Sequence, residues 1–158
     1  MPKFNLVATG GTFDIIHKGH IELLKKSFEI SSTVIIGLTS DELAAKKGKK
    51  LINNYSDRLV ELTSTIEKNF PNSSFRISKL DNDFGPAVLE GDVEALITSS
   101  ETSFQGDILN KLRLEKNLPK VEIVVVPMVL AKDGKRISTT RIKESEIDSE
   151  GNLPWIDK

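Results

Sequence analysis

The chain contains no cysteine, and that absence removes disulfides, thiolate metal sites and cysteine nucleophiles together. Neither sign of charge is in surplus: 22 lysines and arginines face 23 aspartates and glutamates, for a formal net charge of −1. No global basic field draws nucleic acid to such a surface, so any anion site must be built locally. Apolar runs are short. Val121 to Leu130 is interrupted by Glu122 and Pro127, well below the ~20 residues that a membrane span needs. Phe4–Ala8 is too short for the apolar region of a signal peptide and runs into glycines, which leaves a cytoplasmic protein as the expectation. With two histidines and no cysteine, the four ligands of a structural zinc site are missing, and no protein-held metal is expected.

What remains is the composition of a folded domain. At 158 residues, 38% hydrophobic and 28% charged, the chain is long enough for one core and too apolar to be disordered. It shows no internal repeat, low-complexity stretch or dividing linker. Residues 1–150 are expected to form one domain. Residues 151–158 read as a C-terminal tail, within an acidic segment, Glu144–Lys158, that leaves the core and includes Trp155, which covers an apolar patch.

Phe4–Thr9 is a short β-type run that ends at Gly10-Gly11, and helical spacing follows from His17 to Ser31. There Ile21, Leu24 and Phe28, with Leu23, Ser27 and Ile30 beside them, form a stripe that can pack on a sheet. Thr33–Leu38 is a second strand, after which Ser40 or Asp41 can cap a short helix that ends in lysines. Leu59, Leu62, Ile66 and Phe70 predict a helix over 57–70, closed by Pro71-Asn72. Phe75–Lys79, Ala95–Thr98 and Val121–Val126 read as strands, the last two as buried because they do not alternate, with a helix over 106–117 between them. Strands alternating with helices imply right-handed crossovers and an α/β fold: a Rossmann-like, open, mainly parallel sheet with helices on both faces.

Chemistry concentrates where the first strand turns into the first helix. Gly10-Gly11-Thr12-Phe13-Asp14 precedes His17-Lys18-Gly19-His20, and in an open parallel sheet ligands sit outside the strands' carboxyl ends, where the N–H groups of the next helix point at an anion. Histidines three apart project from one side of a first turn, and Gly19 keeps the space between them open. The two rings can donate to a phosphate and respond to charge developing on it. Two basic clusters fall near the same edge. Residues 46–58 carry Lys46, Lys47, Lys49, Lys50 and Arg58 against Asp57, and residues 132–143 carry five positive charges against one negative. In the second cluster Ser138 or Thr139 can cap a helix while Arg141 offers a forked donor. Asp14, Asp81, Asp83 and Glu101 are loop carboxylates near strand ends, either solvated turn residues or oxygens for a Mg²⁺ carried on phosphates. Arg113 faces either substrate or solvent.

These residues resemble the nucleotidyltransferase superfamily with its histidine-x-glycine-histidine signature, at His17-Lys18-Gly19-His20, and its isoleucine-serine-x-threonine signature, at Ile137-Ser138-Thr139-Thr140. Asp81-Asn82-Asp83-Phe84-Gly85-Pro86, Ser99-Ser100-Glu101-Thr102 and Asn110-Lys111-Leu112-Arg113-Leu114-Glu115 look like the archaeal and eukaryotic type of phosphopantetheine adenylyltransferase, over residues 4–150. The resemblance implies transfer of AMP from ATP to 4′-phosphopantetheine with Mg²⁺. It implies catalytic roles for His17, His20 and Lys50. It places the nucleotide on Gly10, Gly11, Thr12, Phe13, Gly19, Ser138, Thr139, Thr140 and Arg141, and the acceptor on Thr12, Lys46, Lys49, Lys50 and Arg58. Four lysines crowd positions 46–50, which leaves open the one that bridges the reacting groups. Ser99-Ser100-Glu101-Thr102 stands where the bacterial type carries arginines, so the bacterial roles in that loop do not transfer. Two competing readings are a CTP-dependent cytidylyltransferase acting on a small polyol phosphate, such as glycerol 3-phosphate, and a nucleotide-binding module without turnover.

Overall fold

β1 (Phe4–Gly11) lies at the centre of a five-stranded, all-parallel sheet. The computed structural model describes residues 3–82, 84–85, 91–99 and 104–127. From β1 the chain passes through α1 (Lys18–Ile30) into β2 (Ser31–Thr39), then through α2 (Asp41–Lys46) and α3 (Tyr55–Asn69) into β3 (Phe75–Leu80). It then returns to the other side of β1 as β4 (Ala95–Ser99), and α4 (Phe104–Glu115) leads to β5 (Glu122–Val126). The strand order is β3-β2-β1-β4-β5, so the direction of winding reverses between β1 and β4, the place where an open α/β sheet parts to admit a ligand.

The register shows that parting. β1 pairs with β2 along its whole length, from Phe4↔Ser31 to Gly11↔Leu38, but with β4 only at Val7↔Ala95 and Ala8↔Leu96. Beyond that point a side chain makes the bridge, as the Thr9 hydroxyl donates to the Ile97 carbonyl at 2.9 Å.

Alternation along the strands builds two cores. Val7, Val34, Ile36, Leu38 and Ile97 meet Leu24 of α1 and Leu62 and Ile66 of α3 on one face. Ala8, Ile35 and Leu96 meet Leu109 of α4 on the other, with Val93 and Val121. The helices therefore cover both faces, as the alternating pattern predicted. Among the described residues, no helix is long and apolar enough to cross a membrane.

Several boundaries move. α3 begins at Tyr55 rather than 57, because the Asn54 side chain accepts from the Asp57 N–H at 2.9 Å and caps the helix. α4 begins at Phe104 and ends at Glu115, with Asn117 in the left-handed region at φ 61°. Ser40, not Asp41, caps α2 through a 3.0 Å bond from the Leu43 N–H. One expectation is corrected: β4 is buried, but β5 is an edge strand in which Glu122 and Val125 are exposed. A run of valines fits a half-covered edge as well as a centre, since pairing position, not composition, decides how much of it is covered.

Candidate active site

The turn after β1 is held from below. A Cβ at Gly10 would stand 2.9 Å from the Gly37 carbonyl oxygen on β2, so only glycine allows the strands this approach. Phe13 takes a left-handed conformation at φ 50° with its ring 1% exposed. A bulky residue adopts this backbone only where its surroundings over-determine it, and here the core anchors the ring, 4.8 Å from that of His20. The buried anchor lifts Thr12 and fixes the entry to α1.

The two histidines cap that helix. His17 is the N-cap, and its Nδ1 accepts from the Gly19 N–H at 3.0 Å. His20 Nδ1 accepts in return from the His17 N–H at 3.2 Å. This is a capping box built from two imidazoles. A ring nitrogen that accepts carries no proton, so both rings are held as the neutral tautomer with the proton on Nε2. They stack with centroids 3.9 Å apart and planes at 24°. Burial, and secondarily the facing His17, push the His20 pKa down to about 3, and that ring stays uncharged near neutrality. Gly19 is required by the same packing: a Cβ there would lie 2.8 Å from His17 Cε1 and 3.0 Å from its Nδ1.

The lysine loop reaches the same turn. α2 ends with the Lys47 N–H donating to Leu43 O and Ala44 O, and Gly48 turns the chain at φ 74°. The Lys49 N–H then returns to Ala44 O at 3.0 Å. That reversal sends Lys49 Nζ onto Thr12 Oγ1 at 2.9 Å. Lys46 and Lys50 are exposed on the same stretch. The ammonium brought onto Thr12 is thus that of Lys49, neighbour of the Lys50 expected in the bridging role.

Arg58, expected among the substrate-binding residues, lies beneath the loops instead. It is 1% exposed and faces inward with Leu62 and Ile66 on α3. Its Nη1 donates to Thr12 O and Thr39 O, both at 2.8 Å, and its Nε to Asn53 O at 3.1 Å. Its Nη2 meets Asp41 Oδ1 at 2.8 Å. The Asp41 carboxyl is held below its usual value, first by the Tyr55 N–H and then by Arg58. Asp14 completes the frame: it is buried, and its two oxygens accept from the N–H groups of Ile52 and Asn53, both at 2.9 Å. Asp14 is therefore not a solvated turn residue. Asp41 was read from the sequence only as a possible cap of the short helix, and Asn53 was not singled out.

Arg113 faces neither substrate nor solvent. It is 0% exposed and donates through Nε to Pro119 O at 2.8 Å, while Asn110 pairs with the backbone of Val121 through both ends of its amide. The Asn110–Glu115 motif thus fixes how α4 feeds β5. Ser138, Thr139, Thr140 and Arg141 lie outside the described residues, as do Asp83, Glu101 and Trp155. Among the described residues no cluster of three or more histidines, aspartates or glutamates could hold a metal ion.

Gly10, Gly11, Thr12, Lys49, His17 and His20 therefore meet where a parallel sheet parts, and such a site suits the polyphosphate of a nucleotide. The chain belongs to the cytidylyltransferase-like family, whose model matches residues 8–145. It is similar to proteins named phosphopantetheine adenylyltransferase: 44% identical over 156 residues to that of Methanosarcina barkeri (97% of this chain, 93% of the relative), and 38% over 151 residues to that of Methanothermobacter thermautotrophicus (96% and 90%). Its fold is similar to that of a crystal structure of a protein of unknown function from Archaeoglobus fulgidus, with TM-score 0.69 and 26% identity over 78% of this chain and 89% of that one.

Proposed function

We propose that this chain transfers AMP from ATP to 4′-phosphopantetheine, giving dephospho-coenzyme A and pyrophosphate, in a cytoplasmic setting. The names of its relatives support the substrates. The observation that carries the chemistry is the stacked pair of neutral histidines at the mouth of α1, next to Thr12 with Lys49 upon it. A phosphate oxygen of the acceptor attacks the α-phosphorus, the bond to the β-phosphate breaks, and pyrophosphate leaves. Nothing in that step needs a protein nucleophile; it needs alignment and donors where charge develops. The Nε2–H groups of His17 and His20 are such donors. Lys49 and Thr12 hold the attacking phosphate, with Lys46 and Lys50 adding to the positive field. Ser138, Thr139, Thr140 and Arg141 hold the triphosphate. Mg²⁺ fits as an ion carried on the ATP phosphates, where it neutralises charge.

The test is pyrophosphate release by purified protein with Mg²⁺, comparing ATP plus 4′-phosphopantetheine with CTP plus glycerol 3-phosphate, with the product identified by mass. Dephospho-coenzyme A from the first pair alone is the expected result. A CTP-dependent product overturns the substrates, and nucleotide binding without turnover overturns the enzyme.

A further inference from the structure

The chemistry above uses the histidine side of the opening between β1 and β4, and the other side carries a group with no role in it. Thr98, next to the end of β4, is 6% exposed. Among the described residues, its Oγ1 is the only buried side-chain oxygen or nitrogen without a hydrogen-bond partner. Its counterparts on the neighbouring strands are satisfied: Thr9 Oγ1 donates to Ile97 O at 2.9 Å and Thr39 Oγ1 to Gly11 O at 3.2 Å. A buried hydroxyl left unpaired costs stability, and native structures keep few of them.

Its position explains what it waits for. Alternation puts Thr98 on the face of Leu96, and Leu96 pairs with Ala8, so Thr98 and Gly10 each lie two residues beyond that last pair, on the same face, where the two strands part. Gly10 is exposed although it lies in the central strand. Leu109 of α4 packs with Ala8 and Leu96, one step back from Gly10. On the β2 side the Leu80 methyl closes in: a Cβ at Gly10 would be 3.5 Å from Leu80 Cδ1. Gly10 is thus exposed at the parting of the strands, with Leu80 towards β2 and Thr98 on β4, and it leads into the Gly11–Thr12 turn that Lys49 charges.

We propose that Thr98 is a substrate-contacting residue whose hydroxyl donates to a phosphate oxygen of a ligand seated over Gly10. The proposal rests on the adenylyltransfer reading, in which both substrates bring phosphate. Binding of ATP alone and of 4′-phosphopantetheine alone, each by calorimetry, separates the two sources. Thr98→Val keeps the shape and removes the hydroxyl, Thr98→Ser keeps the hydroxyl, and Thr98→Ala is a second deletion with a different volume.

Thr98→Val is expected to melt no lower than wild type without ligand, because it loses an unpaired buried group. Its affinity for one of the two substrates is expected to fall about tenfold to a hundredfold, the scale of a hydrogen bond to a charged group, with Thr98→Ser restoring it. The KM for that substrate should rise in parallel. Wild-type affinity for both substrates in Thr98→Val and Thr98→Ala overturns the proposal, as does a clear drop in ligand-free melting temperature in Thr98→Val, the mark of a structural hydroxyl. Because the binding arms need no turnover, a wild-type protein that binds ATP without releasing pyrophosphate sinks the reading of the reaction while leaving Thr98 decidable.

Discussion

Replacing Arg58 by methionine tests the claim that the site stands on a buried frame rather than on surface charge. Arg58 donates to the carbonyls of Thr12, Thr39 and Asn53 and pairs with Asp41. Methionine fills much of the same volume and donates nothing. The Asp41 side chain is 45% exposed, so water can take over its charge, and the loss comes mainly from the three carbonyls. A buried polar group stripped of its partner costs about 1–3 kcal/mol. With partial relaxation the sum comes to about 3–5 kcal/mol, at the upper end of single-substitution effects, or roughly 6–20 °C in melting temperature for a chain of this size. The assay is urea unfolding followed by fluorescence and circular dichroism, with turnover measured well below the transition. The folded fraction should also turn over more slowly, because Thr12 loses its lower anchor and Lys49 its target. A loss below about 1 kcal/mol with normal turnover would refute the frame, and a loss that small with a raised acceptor KM would return Arg58 to the ligand.

Gly19→Ala should leave the melting temperature within a few degrees, since alanine favours a helix by about 1 kcal/mol, yet cut turnover about a hundredfold as the His17 ring shifts off the new Cβ; normal turnover would refute the packing argument. Lys49→Ala should raise the acceptor KM or lower turnover more than Lys50→Ala, read from steady-state kinetics of both variants, and the reverse order would mean that the contact with Thr12 is not the working one. With a folded pKa of about 3 against an ordinary 6.5, His20 takes up a proton in the unfolded chain before the folded one. Stability is therefore full above pH 6.5 and falls as pH drops toward 3, by about 2 kcal/mol between pH 7 and 5; the same slope in His20→Gln, by urea titration, would exclude His20 as its source.

The parts of this molecule legible in its sequence are those whose signal is local. The junction of β1 and α1 announces itself because glycines, a strand end and a helix start stand within ten residues. Arg58 was legible too, by a rule that its charge obscured. Stepping back four residues along the buried row Ile66 and Leu62 lands on Arg58, the position where helical spacing continues the core, but the stripe was read through Leu59 and Arg58 only as a ligand in a basic cluster. Its partners, Thr12 and Thr39, are loop and strand ends far from it in sequence, and no periodicity points to them. The lysine register was not legible, because it depends on one left-handed turn at Gly48 that decides which of several identical side chains comes round to Thr12.

The histidines show why such a site resists separation into fold and chemistry. The bonds that cap α1 use both Nδ1 atoms, and the same bonds leave both protons on Nε2. A substitution that keeps a cap but not an imidazole, such as His17→Asn, preserves the start of the helix and removes the donor. It should therefore fold normally and turn over slowly, by the 10²–10³-fold typical of a lost transition-state donor. If the pair worked instead as a charged site, turnover would climb on acidification toward pH 5 as the imidazoles ionised. With both Nδ1 atoms occupied and the His20 pKa near 3, the wild-type rate should show no such rise, and a pH–rate profile distinguishes the two.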